Sequence, residues 1–170
     1  EKGAIRADQV FDCEDGTLRI AGKTIRDVHP HAALRPADIV RVSSNIGAVK
    51  ISLLLGARAQ YEMLRSFGFG SSTGSGFPEE SSGLLRPRQA WRPVDQATIA
   101  FGQGISVTPV QMAAAFGAIA NGGTLMRPFV VRRITGPHGE KLADNEPMAV
   151  RHVVSPETAR TTGELLRRVV

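Results

Sequence analysis

Between Thr108 and Gly123 the sequence spells out a complete helix, start and stop included. Thr108 suits the N-cap, Pro109 the first helical position and Gln111 the third, from which its amide reaches back to the cap. Met112, Ala115, Phe116, Ile119 and Ala120 recur at helical spacing, and Asn121-Gly122-Gly123 supplies a left-handed ending. The Ala-rich face lets a neighbour come close and nothing on the helix is titratable, so its expected role is packing.

Similar punctuation marks the other elements. Pro36 opens a helix through Arg41, and Ser43 or Ser44 can cap a second that runs to about Leu55 and stops at Gly56. Ile46, Val49, Leu53 and Leu54 recur along that second helix. A third covers Ala57 to Phe67, with Tyr61, Leu64 and Phe67 on one side and Gly68 as its stop. A short helix spans Pro93 to Ala100, and Ser155-Pro156-Glu157 opens the last one, along which Leu165, Leu166 and Val169 lie, with Arg167 and Arg168 at its end. Two hairpins are expected. Thr17 to Ile20 and Lys23 to Arg26 flank Ala21-Gly22, and Phe129 to Ile134 and Lys141 onward flank Pro137-His138-Gly139. Residues 1–16 look irregular, 68–90 read as a long Gly, Ser and Pro-rich loop, and Phe101 to Gly104 as a glycine-flanked turn. The expected class is α-rich α+β with two short hairpins.

Composition narrows the function. A net charge of +5 favours an anionic partner in principle, but the arginines are dispersed and no aromatic-plus-basic stripe appears, so no nucleic-acid footprint is expected. One cysteine, Cys13, rules out an internal disulfide and reads as a structural or incidental thiol. No apolar run approaches a membrane span. His29, His31, His138 and His152 lack a Cys or carboxylate cluster at ligand spacing, so no metal and no cofactor is expected. Asp27, His29 and His31 are expected to shape the loop ahead of the second helix, and Glu79 and Glu80 to be loop charges.

Chemistry enters at Ser43-Ser44-Asn45. Ser43 and Asn45 each donate and accept hydrogen bonds, which suits a relay and clamp, although a bare Ser-x-Asn is more often a helix cap. Its surroundings sharpen it. Residues 43–51 are similar to the second active-site motif of the penicillin-binding proteins. Phe67 to Gly70 with Thr73-Gly74 and Phe77-Pro78-Glu79 resembles the loop that follows in class B members. So does the run from Phe101 to Gln111, continuing through Ala120 to Gly123 and Pro128. Residues 12–31 are most similar to the cell-division transpeptidases of that class.

That resemblance implies a mixed-sheet transpeptidase fold, of which this chain would hold mainly the helical subdomain. It also implies acyl transfer. A serine of an S-x-x-K motif attacks the bond between the two terminal D-alanines of a peptidoglycan stem peptide, with the lysine as base. The amine of a second strand then takes the acyl group, and β-lactams trap the serine. Ser43 would belong to the proton-transfer network, and Asn45 would hydrogen-bond the lysine and the substrate carbonyl. The residue types fit, since serine needs a base and lysine becomes one only with a depressed pKa.

No S-x-x-K exists here. Of Lys2, Lys23, Lys50 and Lys141, the last three have Ile20, Gly47 and His138 three residues earlier. No K-[ST]-G occurs either, since Gly22-Lys23-Thr24, Ser72-Thr73-Gly74 and Ile134-Thr135-Gly136 are only lookalikes. Both ends look cut, so residues 1–170 are expected to be a partial transpeptidase domain, inactive alone and not acylated by β-lactams. Location at the periplasmic face of the bacterial inner membrane, an anchor outside this segment, division-complex membrane partners and self-association through uncovered apolar surface are the further implications. The rival reading is a degenerate, non-catalytic domain that docks division partners or peptidoglycan.

Overall fold

The computed structural model describes residues 3–169. Helices dominate, at 38% of residues against 18% in strands, which agrees with the α-rich expectation. The first half builds one core. Phe11–Asp12 (β1) pairs antiparallel with Ala33–Leu34 (β4), and Thr17–Ile20 (β2) with Lys23–Arg26 (β3). Helices Pro36–Arg41 (α1), Asn45–Leu55 (α2), Ala57–Ser66 (α3) and Pro93–Ile99 (α4) follow. Phe11, Cys13, Leu18, Ile25, Ile39 and Ile46 are buried together with Val49 and Ala97. Close packing at the α1–α2 crossing depends on Gly47, where a Cβ would lie 2.5 Å from Ile39 Cγ1.

The second half packs Pro109–Ala120 (α5) against Thr124–Arg127 (β5) and against Pro156–Leu166 (α6). Between them Arg133–Thr135 (β6) and Lys141–Asp144 (β7) form a hairpin, and Met148–His152 (β8) returns to pair with β5. Leu125 is buried here with Ala115, Ala118 and Ala159, and the three alanines let α5 and α6 approach.

Three expectations need correction. Among the described residues four two-stranded pairings form rather than two hairpins. β1–β4 and β5–β8 join segments separated by whole elements, and no local turn signal announces such pairing. The second hairpin starts at Arg133, leaving residues 129–132 outside any strand. On α2 the inward face is Ile46, Val49 and Ser52, whereas Leu53 and Leu54 are exposed. Among the described residues no helix is long and apolar enough to cross a membrane.

Candidate active site

Residues 43–45 divide their work. Ser43 sits in the left-handed region (φ 54°), exposed, where the chain swings from α1 into α2. Ser44 is buried and is the cap: its hydroxyl donates to Asp27 Oδ2 (2.6 Å) and accepts from the Gly47 amide (3.0 Å). Asp27 Oδ1 accepts from the Ile46 amide at 3.0 Å. A carboxylate at a helix N-terminus, where the first amides have no partner within the helix, is where the helix dipole favours it. Asp27 therefore shapes this corner, as the sequence predicted. His31 and His29 hold only their own loop, through His31 Nδ1 and the His29 carbonyl at 2.8 Å.

Cys13 is fully buried beneath this cap, its sulfur 3.9 Å from Ser44 Oγ. The Ser44 proton is committed to Asp27 by the shorter bond, so the sulfur contact is packing. Burial pushes the Cys13 thiol above its ordinary pKa. Nearby, Lys50 pairs with Glu14 across the outside of the core.

Asn45 is the residue that faces open space. Its Nδ2 donates to the Arg26 carbonyl (2.8 Å), while its Oδ1 takes no hydrogen bond among the described residues. It lines a cleft of about 450 Å3 with β3 residues, α4 residues, Phe101 and Gln103. Ser43 is not among the lining residues, so the structure brings one of the two predicted site residues to the cleft and leaves the other on its approach. Gln103 joins the site from the turn flanked by Gly102 (φ 88°) and Gly104 (φ 84°). A lone polar residue between two glycines was the available signal.

The α4 wall is fixed by Asp95, which sequence reading passed over. It accepts from Arg92 N (2.7 Å), Arg92 Nε (3.1 Å) and Arg86 Nη2 (2.6 Å). The Arg92 bonds, then Arg86, hold its carboxyl well below the usual carboxylate range. The signal was its position three residues into a proline-started helix.

Residues 68–83 are also built rather than loose. Buried Gln111 serves α5 as capping-box partner and donates Nε2 to the carbonyls of Ser71 (2.8 Å) and Ser82 (2.9 Å), tying together both ends of the loop. Within it, Glu80 accepts from the amides of Thr73 (2.9 Å) and Gly74 (3.1 Å) and from the hydroxyls of Ser72 and Thr73. Burial pushes its pKa up, but these bonds outweigh burial and lower it to about 2. Glu80 is thus a latch rather than a solvated loop charge; Glu79 remains exposed.

The whole chain, residues 1–170, matches the family described as penicillin binding protein transpeptidase domain. It is 36% identical to the penicillin-binding protein PbpB of Mycolicibacterium smegmatis over 100% of this chain and 26% of that protein. It is 31% identical to the peptidoglycan D,D-transpeptidase FtsI of Escherichia coli over 81% of this chain and 23% of that protein. Among solved structures, penicillin binding protein 3 of Mycobacterium tuberculosis in complex with ampicillin superposes with a TM-score of 0.83 at 35% identity, covering 91% of this chain and 34% of that one. The chain therefore spans about a quarter of the length of the curated relatives it matches. Over all of its residues, this chain belongs to the penicillin-binding protein transpeptidase family, among the class B members.

Proposed function

We propose that residues 1–170 form part of a peptidoglycan D,D-transpeptidase domain, mainly its helical subdomain, and supply one wall of its active site. Asn45 carries this reading. Its Nδ2 is fixed on the Arg26 carbonyl and its Oδ1 is open to the cleft, the arrangement needed to accept from a lysine while the remaining N–H donates to a substrate carbonyl. Ser43, exposed one residue before the cap, is the proton-relay partner. The nucleophilic serine and its lysine come from S-x-x-K, and K-T-G completes the site; neither motif is in this chain. The substrates are the stem peptides of peptidoglycan, and β-lactams acylate the complete protein.

On this reading the protein works in septal wall synthesis at the periplasmic face of the bacterial inner membrane, anchored by a segment outside residues 1–170 and docked to division-complex membrane proteins. Fluorescent penicillin tests the chemistry. The isolated chain is expected to take no stable label and the full reading frame to be labelled. In the full frame, Asn45→Ala and Ser43→Ala are each expected to slow acylation about a hundredfold, the scale of a lost proton-transfer or positioning group. Labelling of the isolated chain, or unchanged acylation in both variants, overturns the assignment.

A further inference from the structure

A second cleft, of about 410 Å3, shares no residue with that of Asn45. One wall is the loop at 74–78, and the other is Arg127, residues 129–131 and Asn145. Three observations set it apart. Arg127 is partly buried; its backbone belongs to the β5–β8 ladder, but among the described residues its guanidinium has neither an ion pair nor a hydrogen bond. Its stem lies over Gly74, where a Cβ would sit 3.7 Å from Arg127 Cδ, so the guanidinium is placed without an anion to meet it. Around it Phe77 (59%), Val130 (69%) and Val131 (50%) are exposed, large apolar side chains about one unpaired arginine. That is the composition of binding hot spots rather than of a solvated face. Lastly, Phe129 and Val130 belong to no strand, and their backbone groups make no hydrogen bond to other described residues. They offer an edge to an extended chain.

Both walls are already held. Glu80 fixes Thr73 and Gly74, and Asn145 Nδ2 donates to the Val131 carbonyl at 2.6 Å. A site ordered before binding loses less conformational freedom when it binds. The amides of Thr73 and Gly74 are filled by the Glu80 carboxylate and are closed to a phosphate, whereas a single guanidinium matches a single carboxylate in bidentate fashion.

We propose that this cleft docks an extended segment of a partner protein carrying one Asp or Glu between apolar residues. The carboxylate meets Arg127, the apolar flanks cover Phe77 and Val130, and the main chain runs beside Phe129 and Val130. This holds whether or not the transpeptidase assignment does.

The test uses the full reading frame and two fluorescein-labelled pools of acetylated pentapeptides. Each has Val, Leu, Ile or Phe at the four outer positions; one has Glu at the centre, the other Gln. In fluorescence anisotropy the Glu pool is expected to bind about tenfold tighter, one charge-assisted contact's worth. Arg127→Gln removes that preference, Arg127→Lys keeps part of it, and Val130→Asp, at an exposed site, weakens binding without lowering the melting temperature. Equal binding of the pools, indifference to Arg127→Gln, or no binding by either pool at millimolar concentration overturns the proposal. So does concentration-dependent dimerisation that cross-links Glu79 of one copy to this cleft, since that would assign the site to a second copy.

Discussion

Asp27 takes two hydrogen bonds from the first turn of α2, from the Ser44 hydroxyl and the Ile46 amide. Asp27→Ala leaves both donors beside a buried cap, and the loss should be about 1–2 kcal/mol, readable by chemical denaturation. Glu80 makes a prediction about pH. Its carboxyl titrates near 2 when folded, against an ordinary value of 4.5, so the unfolded chain takes the proton first as pH falls. The latch's contribution is complete above about pH 4.5 and is lost as pH drops towards 2. Thermal melts across that window should steepen the loss in the parent relative to Glu80→Gln; identical slopes would show that the latch contributes nothing. The sequence made Ser43, Ser44 and Asn45 visible because a cap and its flanks are local in the chain; Asp27, 17 residues from Ser44, was read only as shaping the loop ahead of α2. The sequence hid Glu80, since a carboxylate becomes a latch only when the chain's turn brings five donors to it, three amides and two hydroxyls.

Among the elements, helices were legible from their punctuation. Thr108-Pro109, Pro36, Gly56 and Ser155-Pro156 mark helix boundaries within a residue. The β2–β3 hairpin was equally plain, because Ala21-Gly22 turns the chain and Ala21 itself takes a positive φ of 47°. β5 and β8 escaped notice because their pairing spans the entire β6–β7 hairpin and shifts register between Leu125 and Met126. Gln111 links these scales. Read as a capping residue, it also binds the loop at 68–83 to α5 through two carbonyls. Gln111→Glu would keep the acceptor that faces Thr108 but replace the donor of both loop bonds with an oxygen. The expected result is a drop of at least about 2 kcal/mol in stability, with proteolysis appearing first between residues 71 and 82. Unchanged protection of that loop would mean that other contacts hold it.

At the scale of the whole molecule, its exposed surface bears on the reading of a partial domain. Leu53 (43%), Leu54 (56%) and Phe116 (50%) lie uncovered on helices. A groove of about 780 Å3 runs between α5 and α6, walled by Phe116, Ile119, Ala159 and Leu166. Apolar helix faces of this kind normally pack on something. The isolated chain is expected to self-associate as its concentration rises in sedimentation experiments; a monomer throughout, with no binding of an apolar dye, would count against that view. The buried core beneath α2 is a separate matter, being closed by Ser44, Asp27 and Cys13. Cys13 is the chain's one cysteine, and no solvent reaches it. A thiol reagent can therefore modify only those molecules in which the floor beneath the Ser-x-Asn corner has opened. Its labelling rate, divided by that of the unfolded chain, gives the opening equilibrium of that corner directly, with no dye or engineered probe.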